Sequence, residues 1–294
     1  MKVKNISPKL SARANYTFSG MTILQHEPAA APKKVFLPCV SLPRANFYEN
    51  IFYNAFALNQ LCQALFFSSK MGYNNFMQIF SWNDIQTSLN TGKENPFFSD
   101  GCGMCVGSFD GLHKGHQFLL KKMIKACKND GLKAGAVTFT RPLPAIKHPD
   151  DYKGDICTLE QRIFRLEKTG LDFIILVDFD ETFASMLGSD FFTILINVCN
   201  LKLVAEGCDF RCGYKGAMDV QALNYFCEKN KIKAIFIDPV YYDSENAKIY
   251  TPDDDAYNEI ISKPSETIQR VSSSHIRELL QKHFHTTTDF LLSF

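Results

Sequence analysis

At 294 residues, with 46% hydrophobic and 21% charged side chains, the chain is long enough for one large or two modest domains with a sizeable core. A formal net charge of +1 gives no electrostatic case for a nucleic-acid or membrane partner. Ten cysteines with no secretory leader pattern before them are expected as reduced thiols of a cytoplasmic protein. Cys105, Cys199 and Cys227 lie in apolar runs where a thiol acts as a small hydrophobe. Cys102 and Cys105 have metal-ligand spacing, but no second pair with zinc spacing accompanies them.

Residues 1–76 lack a strand–helix rhythm. They read as a poorly ordered, non-catalytic extension, or as a stretch upstream of a true start at Met71 or Met77. The apolar patch from Ile51 to Phe67 is too short and too interrupted by Asn and Gln to span a membrane. From Met77 an α/β alternation sets in. A strand near Gln78–Trp82 and a helix near Asn83–Leu89 precede a strand that runs through Met104-Cys-Val106 towards Phe109. A helix over His113–Asn129 carries the apolar stripe Leu119, Leu120, Met123, Ile124 and Cys127, with lysines on its other faces. The strand Ala134–Phe139 leads to a proline loop, Arg141–Ala145. A helix follows, opened by a Thr158/Gln161 capping box and closed by Gly170.

The strand Phe173–Val177, the helix Phe191–Cys199 and the strand Leu201–Ala205 come next. A helix over Val220–Asn230, the strand Lys233–Ile237 and a last helix from about Ser274 complete the series. Short apolar strands alternating with amphipathic helices imply a mostly parallel sheet covered on both faces. Such sheets take ligands at the carboxyl ends of their strands, where Phe109, Phe139, Gly207 and Val271 are expected to converge. His148, His283 and His285 have no partner pattern and are expected at the surface.

The segment Gly107-Ser-Phe-Asp-Gly-Leu-His-Lys-Gly-His116 joins a buried strand to the start of a helix through a glycine-permitted turn. That is a geometry for holding an anion at a helix N-terminus. His113 and His116 share one side of the first helical turn, so both rings can donate N–H bonds to phosphate oxygens. Gly115 leaves the backbone open to a ligand, while Asp110 and Gly111 suit the turn and Asp110 is a candidate helix cap.

This segment resembles the HxGH nucleotidyltransferases, and most closely the FMN adenylyltransferase module of bacterial bifunctional riboflavin kinase/FAD synthetases. Three further segments carry the resemblance in the same order. Val137-Thr-Phe139 with Pro142-x-Pro144 is similar to the family's flavin loop. Glu206-Gly-Cys-Asp-Phe-Arg-Cys-Gly213 matches its G-x-D/N-F-x-F-G element. Val271-Ser-Ser-Ser-His-Ile-Arg277 stands where the family has I-S-S-T-R-I-R.

The departures are Thr140-Arg141 ahead of Pro142, with no histidine in that loop, Cys212 in place of an aromatic residue, His275 in place of an arginine, and an acidic insert around Tyr250–Glu266. The resemblance covers about Met77 to Lys282. It implies a Rossmann-like, doubly wound parallel sheet with an adenylyltransferase domain over residues 77–284. It further implies a tail over 285–294 without the family's riboflavin kinase domain, so that FMN would come from a separate kinase.

By that resemblance the chain is expected to convert ATP and FMN, with Mg²⁺, to FAD and pyrophosphate. His113, His116 and Arg277 are the implied catalytic residues. ATP would be held by Gly107, Ser108, Phe109, Asp110, Gly111, His113, Gly115 and His116 on one side and Ser272, Ser273 and Arg277 on the other. Phe139, Pro142, Pro144, Asp209, Phe210 and Arg211 are the flavin-side candidates. No protein ligand for Mg²⁺ stands out. Two rival expectations remain open: an HxGH transferase with another acceptor, and a degenerate homologue that binds flavin or nucleotide without turnover.

Overall fold

The computed structural model describes residues 77–147, 149–262 and 265–294. The expected extension over 1–76, with its apolar patch, and the surface assignment of His148 lie outside these residues. The strands are β1 (Gln78–Ser81), β2 (Cys102–Val106), β3 (Lys133–Phe139), β4 (Phe173–Val177), β5 (Leu201–Gly207), β6 (Arg211–Cys212), β7 (Met218–Asp219), β8 (Lys233–Ile237), β9 (Tyr241–Asp243), β10 (Lys248–Tyr250) and β11 (Ile268–Arg270). The helices are α1 (Trp82–Thr91), α2 (Lys114–Asn129), α3 (Leu143–Lys147), α4 (Leu159–Lys168), α5 (Glu181–Ser185), α6 (Gly188–Cys199), α7 (Val220–Lys229), α8 (Tyr257–Ser262), α9 (Ser273–Gln281) and α10 (His285–Leu292).

Six strands form one sheet in the order β1-β4-β3-β2-β5-β8, with every neighbouring pair parallel. Because side chains alternate along a strand, each strand feeds both faces. Met104, Val137, Phe173, Ile175 and Val177 pack with Trp82, Phe191, Phe192 and Leu223 from α1, α6 and α7. Cys105, Ala134, Ala136 and Ile174 pack with Leu120, Met123 and Leu166 from α2 and α4. At about 1.5–3 kcal/mol for each large apolar side chain fully buried, these two layers are the main stabilising term. This is the doubly wound sheet that the alternation implied. Two small antiparallel sheets accompany it: β6-β7, between β5 and β8 in sequence, and β10-β9-β11, after β8.

Several boundaries differ from the sequence reading. Trp82 begins α1, because Ser81 and Asp84 form a capping box that ends β1 one residue early. β2 stops at Val106, since Phe109, Gly111 and Leu112 all take positive φ, at 47°, 77° and 47°. His113, not Asp110, caps α2, its Nδ1 accepting the His116 N–H at 3.4 Å. The proline loop contains the short helix α3. Pro144 falls in its first turn, where a missing N–H costs nothing. α6 starts three residues early, at Gly188, in a turn-like Gly-Ser-Asp run. Gly188 is buried there, close against Met218.

The segment read as a tail forms α10. Leu291 is buried with Val240, Val271 and Ile276, while Lys114 and Arg165 donate to the Ser293 and Leu292 carbonyls, both at 2.8 Å. Within the acidic insert, α8 docks through the Tyr257 hydroxyl, which donates to the Pro239 carbonyl at 2.7 Å. Cys105, Cys199 and Cys227 are buried as expected. His283 and His285 are exposed.

Candidate active site

The loop from Gly107 to His113 leaves the carboxyl end of β2 and turns back into α2. A left-handed backbone at two bulky residues, Phe109 and Leu112, is a strained arrangement that packing must hold in place. Phe109 and Leu112 are themselves almost fully buried and anchor the turn. Gly111 supplies the third positive φ, and Leu292 and Ile156 crowd the space a side chain would fill there.

The loop's outcome is a pair of stacked imidazoles. The His113 and His116 rings lie 3.8 Å apart between centroids and 18° from coplanar, with the Phe109 ring edge-on to His116 at 5.2 Å. Since His113 Nδ1 accepts a backbone N–H, the neutral ring carries its proton on Nε2, which is left to donate. Burial holds His113 well below the usual imidazole range, and the nearby His116, Arg270, His275 and Arg277 lower it further. His116 as a residue is half-buried, but its Nδ1 is enclosed and has no partner among the described residues. Burial pushes its pKa down to about 4. Both rings are therefore neutral at pH 7, at a helix start whose dipole favours an anion.

The last motif faces this pair. A side chain at Gly115 would come within 3.2 Å of the His113 ring and 3.3 Å of the Val271 carbonyl, so glycine lets the two segments approach without crowding. Ser272 caps α9, its Oγ accepting the His275 N–H at 3.2 Å, and Ser273 Oγ lies 3.4 Å from the Asp110 carbonyl. Arg277 is turned inward. It is 7% exposed, ion-paired through Nη2 with Asp110, donates from Nε to the Gly154 carbonyl at 2.8 Å, and stacks on the Tyr152 ring at 5.1 Å. Asp110 is 1% exposed and also accepts the Ile156 and Cys157 N–H groups, so its carboxylate organises the site from beneath.

The flavin-side candidates are more dispersed. Ser108 Oγ accepts the Leu143 N–H at 3.1 Å, which ties the proline segment to the HxGH loop. Pro142 is buried and Pro144 exposed. Phe139 is 3% exposed and packs edge-on with Phe179 and Phe183, so its ring is in the core rather than at a surface. Asp209 and Arg211 are exposed and Phe210 is half-buried. Asp209 pairs with Arg270 of β11 at 2.7 Å, which joins this element to the strand that leads into the last motif.

Sequence reasoning passed over three contributors. Arg162 on α4, 1% exposed, donates to the Ser108 carbonyl at 2.8 Å and the Thr140 carbonyl at 3.2 Å, fastening two of the site's loops together. An arginine on the apolar stripe of a helix, between Leu159 and Leu166, was the available signal. Glu206 accepts the Val106 N–H at 2.7 Å from deep in the sheet. Arg270, paired with Asp209, lowers the His113 pKa through its charge. Among the described residues no group of three or more His, Cys, Asp or Glu side chains is arranged to hold a metal. A Mg²⁺ that arrives with a nucleotide is held largely by phosphate oxygens and water, and needs no such cage. No helix among the described residues is long and apolar enough to cross a membrane.

Comparison with known proteins gives the chain a family. The model of the FAD synthetase family matches residues 96–250, which hold the HxGH loop, the proline segment and the Asp209–Phe210 element. The bifunctional riboflavin kinase/FMN adenylyltransferase of Buchnera aphidicola subsp. Schizaphis graminum is 30% identical over 139 residues, covering 47% of this chain and 44% of that protein. Its counterpart in Bacillus subtilis is 28% identical over 182 residues, covering 60% and 49%. The chain thus spans about half the length of these curated relatives. Among solved structures, that of a macrolide-efflux protein from Streptococcus pneumoniae superposes with a TM-score of 0.54 at 21% identity, covering 74% of this chain and 60% of that one. At that identity the likeness shows the fold alone.

Proposed function

Because the chain belongs to the FAD synthetase family, we propose that it transfers the adenylyl group of ATP to FMN, giving FAD and pyrophosphate. The observation that carries this reading is the stacked, neutral His113–His116 pair at the start of α2, with the Ser272-capped end of α9 set against it across Gly115. Two helix N-termini and two ring N–H groups suit a triphosphate, whose charge lies on oxygens that only accept hydrogen bonds.

In this reaction an FMN phosphate oxygen forms a bond to the α-phosphorus of ATP while the bond from that phosphorus to the pyrophosphate oxygen breaks. The attacking phosphate is already ionised, so no enzyme base or covalent intermediate is required, and the chain's work is positioning and charge stabilisation. His113 donates from Nε2, and His116 steadies charge that develops on the α-phosphate and the departing pyrophosphate. Ser272 and Ser273 set the β- and γ-phosphates at α9. Arg277 acts mainly by holding Asp110 beneath the HxGH loop. Mg²⁺ bound with ATP supplies further neutralisation of the phosphates. Asp209, Phe210 and Arg211 flank the flavin, and Pro142 and Pro144 shape its wall, backed by Phe139.

The test is direct. The purified chain is incubated with FMN, MgATP and pyrophosphatase, and the flavins are separated by chromatography. FAD formation with release of pyrophosphate supports the proposal. FMN that binds without FAD appearing overturns it in favour of a binding protein, and turnover only with a different acceptor overturns the choice of FMN.

A further inference from the structure

One carboxyl group at the floor of the site has no place in the chemistry proposed above. The sheet order puts β3 and β4 on one side of β2, and β5 and β8 on the other. Chain connections therefore diverge between β2 and β5, and the crevice beyond the carboxyl ends of such a strand pair is where a doubly wound sheet takes its ligand. The backbone register between these two strands extends only to Met104↔Val204. Beyond it the Val106 N–H donates to a side chain, Glu206 Oε1, at 2.7 Å. Val106 is the last residue before the HxGH loop, and Glu206 immediately precedes the element that runs from Gly207 to Gly213. Glu206 is 1% exposed, and its Oε2 has no hydrogen-bond partner among the described residues.

We infer that Glu206 is a positioning residue of the adenylyl-transfer site, one that fixes how the HxGH loop leaves β2 and joins that loop to the flavin-side element. The inference rests on the reaction proposed above. A carboxyl group in this place has good reason to stay protonated. The ionisable groups that bear on it are thiols, Cys105 of β2, Cys212 of β6 and Cys227 of α7, and β8 contributes Phe236 opposite it. No cation among the described residues offsets a charge there. Burial holds the group well above the usual carboxylate range, and the Val106 N–H lowers it only in part.

The direction of the pH effect follows. An acid kept protonated by the fold contributes stability that is full below the ordinary carboxylate pKa of 4.5 and is lost progressively as pH rises from there through its elevated pKa. Ionisation then places a desolvated charge with no cationic partner under the loop, a cost that the strengthened Val106 N–H bond offsets only in part, so the floor of the site is destabilised. Cys212 and Cys227 are pushed up to about 12 and about 11, so neither titrates ahead of alkaline conditions.

The test compares wild type with Glu206→Gln and Glu206→Leu in the full chain, from about pH 6 to about pH 9. Initial rates of FAD formation are measured against ATP and against FMN, and binding of a non-hydrolysable ATP analogue is measured by calorimetry. In wild type the rate and the analogue affinity are expected to fall together on the alkaline side. Glu206→Gln, which keeps the acceptor for Val106 and cannot ionise, should lose that fall and stay within about threefold of the wild-type rate at neutral pH. Glu206→Leu should raise KM for ATP about tenfold, and KM for FMN less. An alkaline fall unchanged in Glu206→Gln, or wild-type KM values in Glu206→Leu, would overturn the inference. If Glu206→Leu does not fold, the comparison of wild type with Glu206→Gln decides alone. If wild type makes no FAD, the reaction proposed above fails, and the calorimetric pH dependence still decides the role of Glu206.

Discussion

Replacing Arg277 by methionine separates its service to the fold from its service to a substrate. The guanidinium and the Asp110 carboxylate are 7% and 1% exposed and meet directly. Methionine keeps the apolar length of the side chain but leaves the carboxylate without its cation and the Gly154 carbonyl without the Nε donor. Breaking a buried ion pair from one side typically costs about 3–5 kcal/mol, because the remaining charge stays desolvated. The Ile156 and Cys157 N–H groups still face Asp110, which places the expected loss at the lower end, about 3 kcal/mol.

At about 2–4 °C per kcal/mol for a unit of this size, the melting temperature should fall by about 6–12 °C. Adding Asp110→Asn removes the stranded anion while a carboxamide oxygen still accepts the Ile156 N–H, so the double variant should recover part of that loss. Thermal unfolding of wild type, both single variants and the double variant gives the coupling energy. An Arg277→Met protein that melts within about 1 °C of wild type, or a double variant as unstable as the sum of its parents, would refute the reasoning.

The other expectations are simpler. His116→Ala should lower the rate of FAD formation by about a hundredfold or more while leaving the unfolding temperature close to wild type; a retained rate rejects its role at the α-phosphate. Acid should destabilise the protein in a defined window. His116 has its pKa depressed from 6.5 to about 4, so the unfolded chain takes up the proton first, and stability that is full above about pH 6.5 is lost as pH falls to about 4. Urea midpoints across that range test this, and an equal slope in His116→Ala would refute the assignment to this ring. Gly135→Ala would place a methyl carbon 2.2 Å from the Phe173 ring in the middle of the sheet, and overpacking there should cost about 1–3 kcal/mol in denaturant unfolding.

Where the sequence was read well, the information was local. The Thr158/Gln161 capping box, the stripe on α2 and the runs that became β3 and β4 each depend on residues within a few positions of one another. Periodicity and caps act over one or two turns, so they can be recognised before the fold is known. Misplaced boundaries arose where a distant contact overrode a local signal. Gly-Ser-Asp at the start of α6 reads as a turn until Gly188 is packed against Met218, and the final residues read as a tail until Arg165 and Lys114 hold their carbonyls.

The same division runs through the site. Spacing along the chain was sufficient to bring His113 and His116 to one side of a helix start, and to mark a parallel sheet. It said nothing of Asp110 lying beneath Arg277, across 167 residues, nor of Arg162 crossing to the HxGH loop or Glu206 reaching Val106 across 100. Those pairings exist because β5 lies against β2, and because β11 aims α9 at Gly115. Strand order is settled by how the two faces of the sheet bury their apolar surface as a whole. No stretch of the chain carries that information alone, so charged partners drawn from different strands and helices become visible only once the layers have closed.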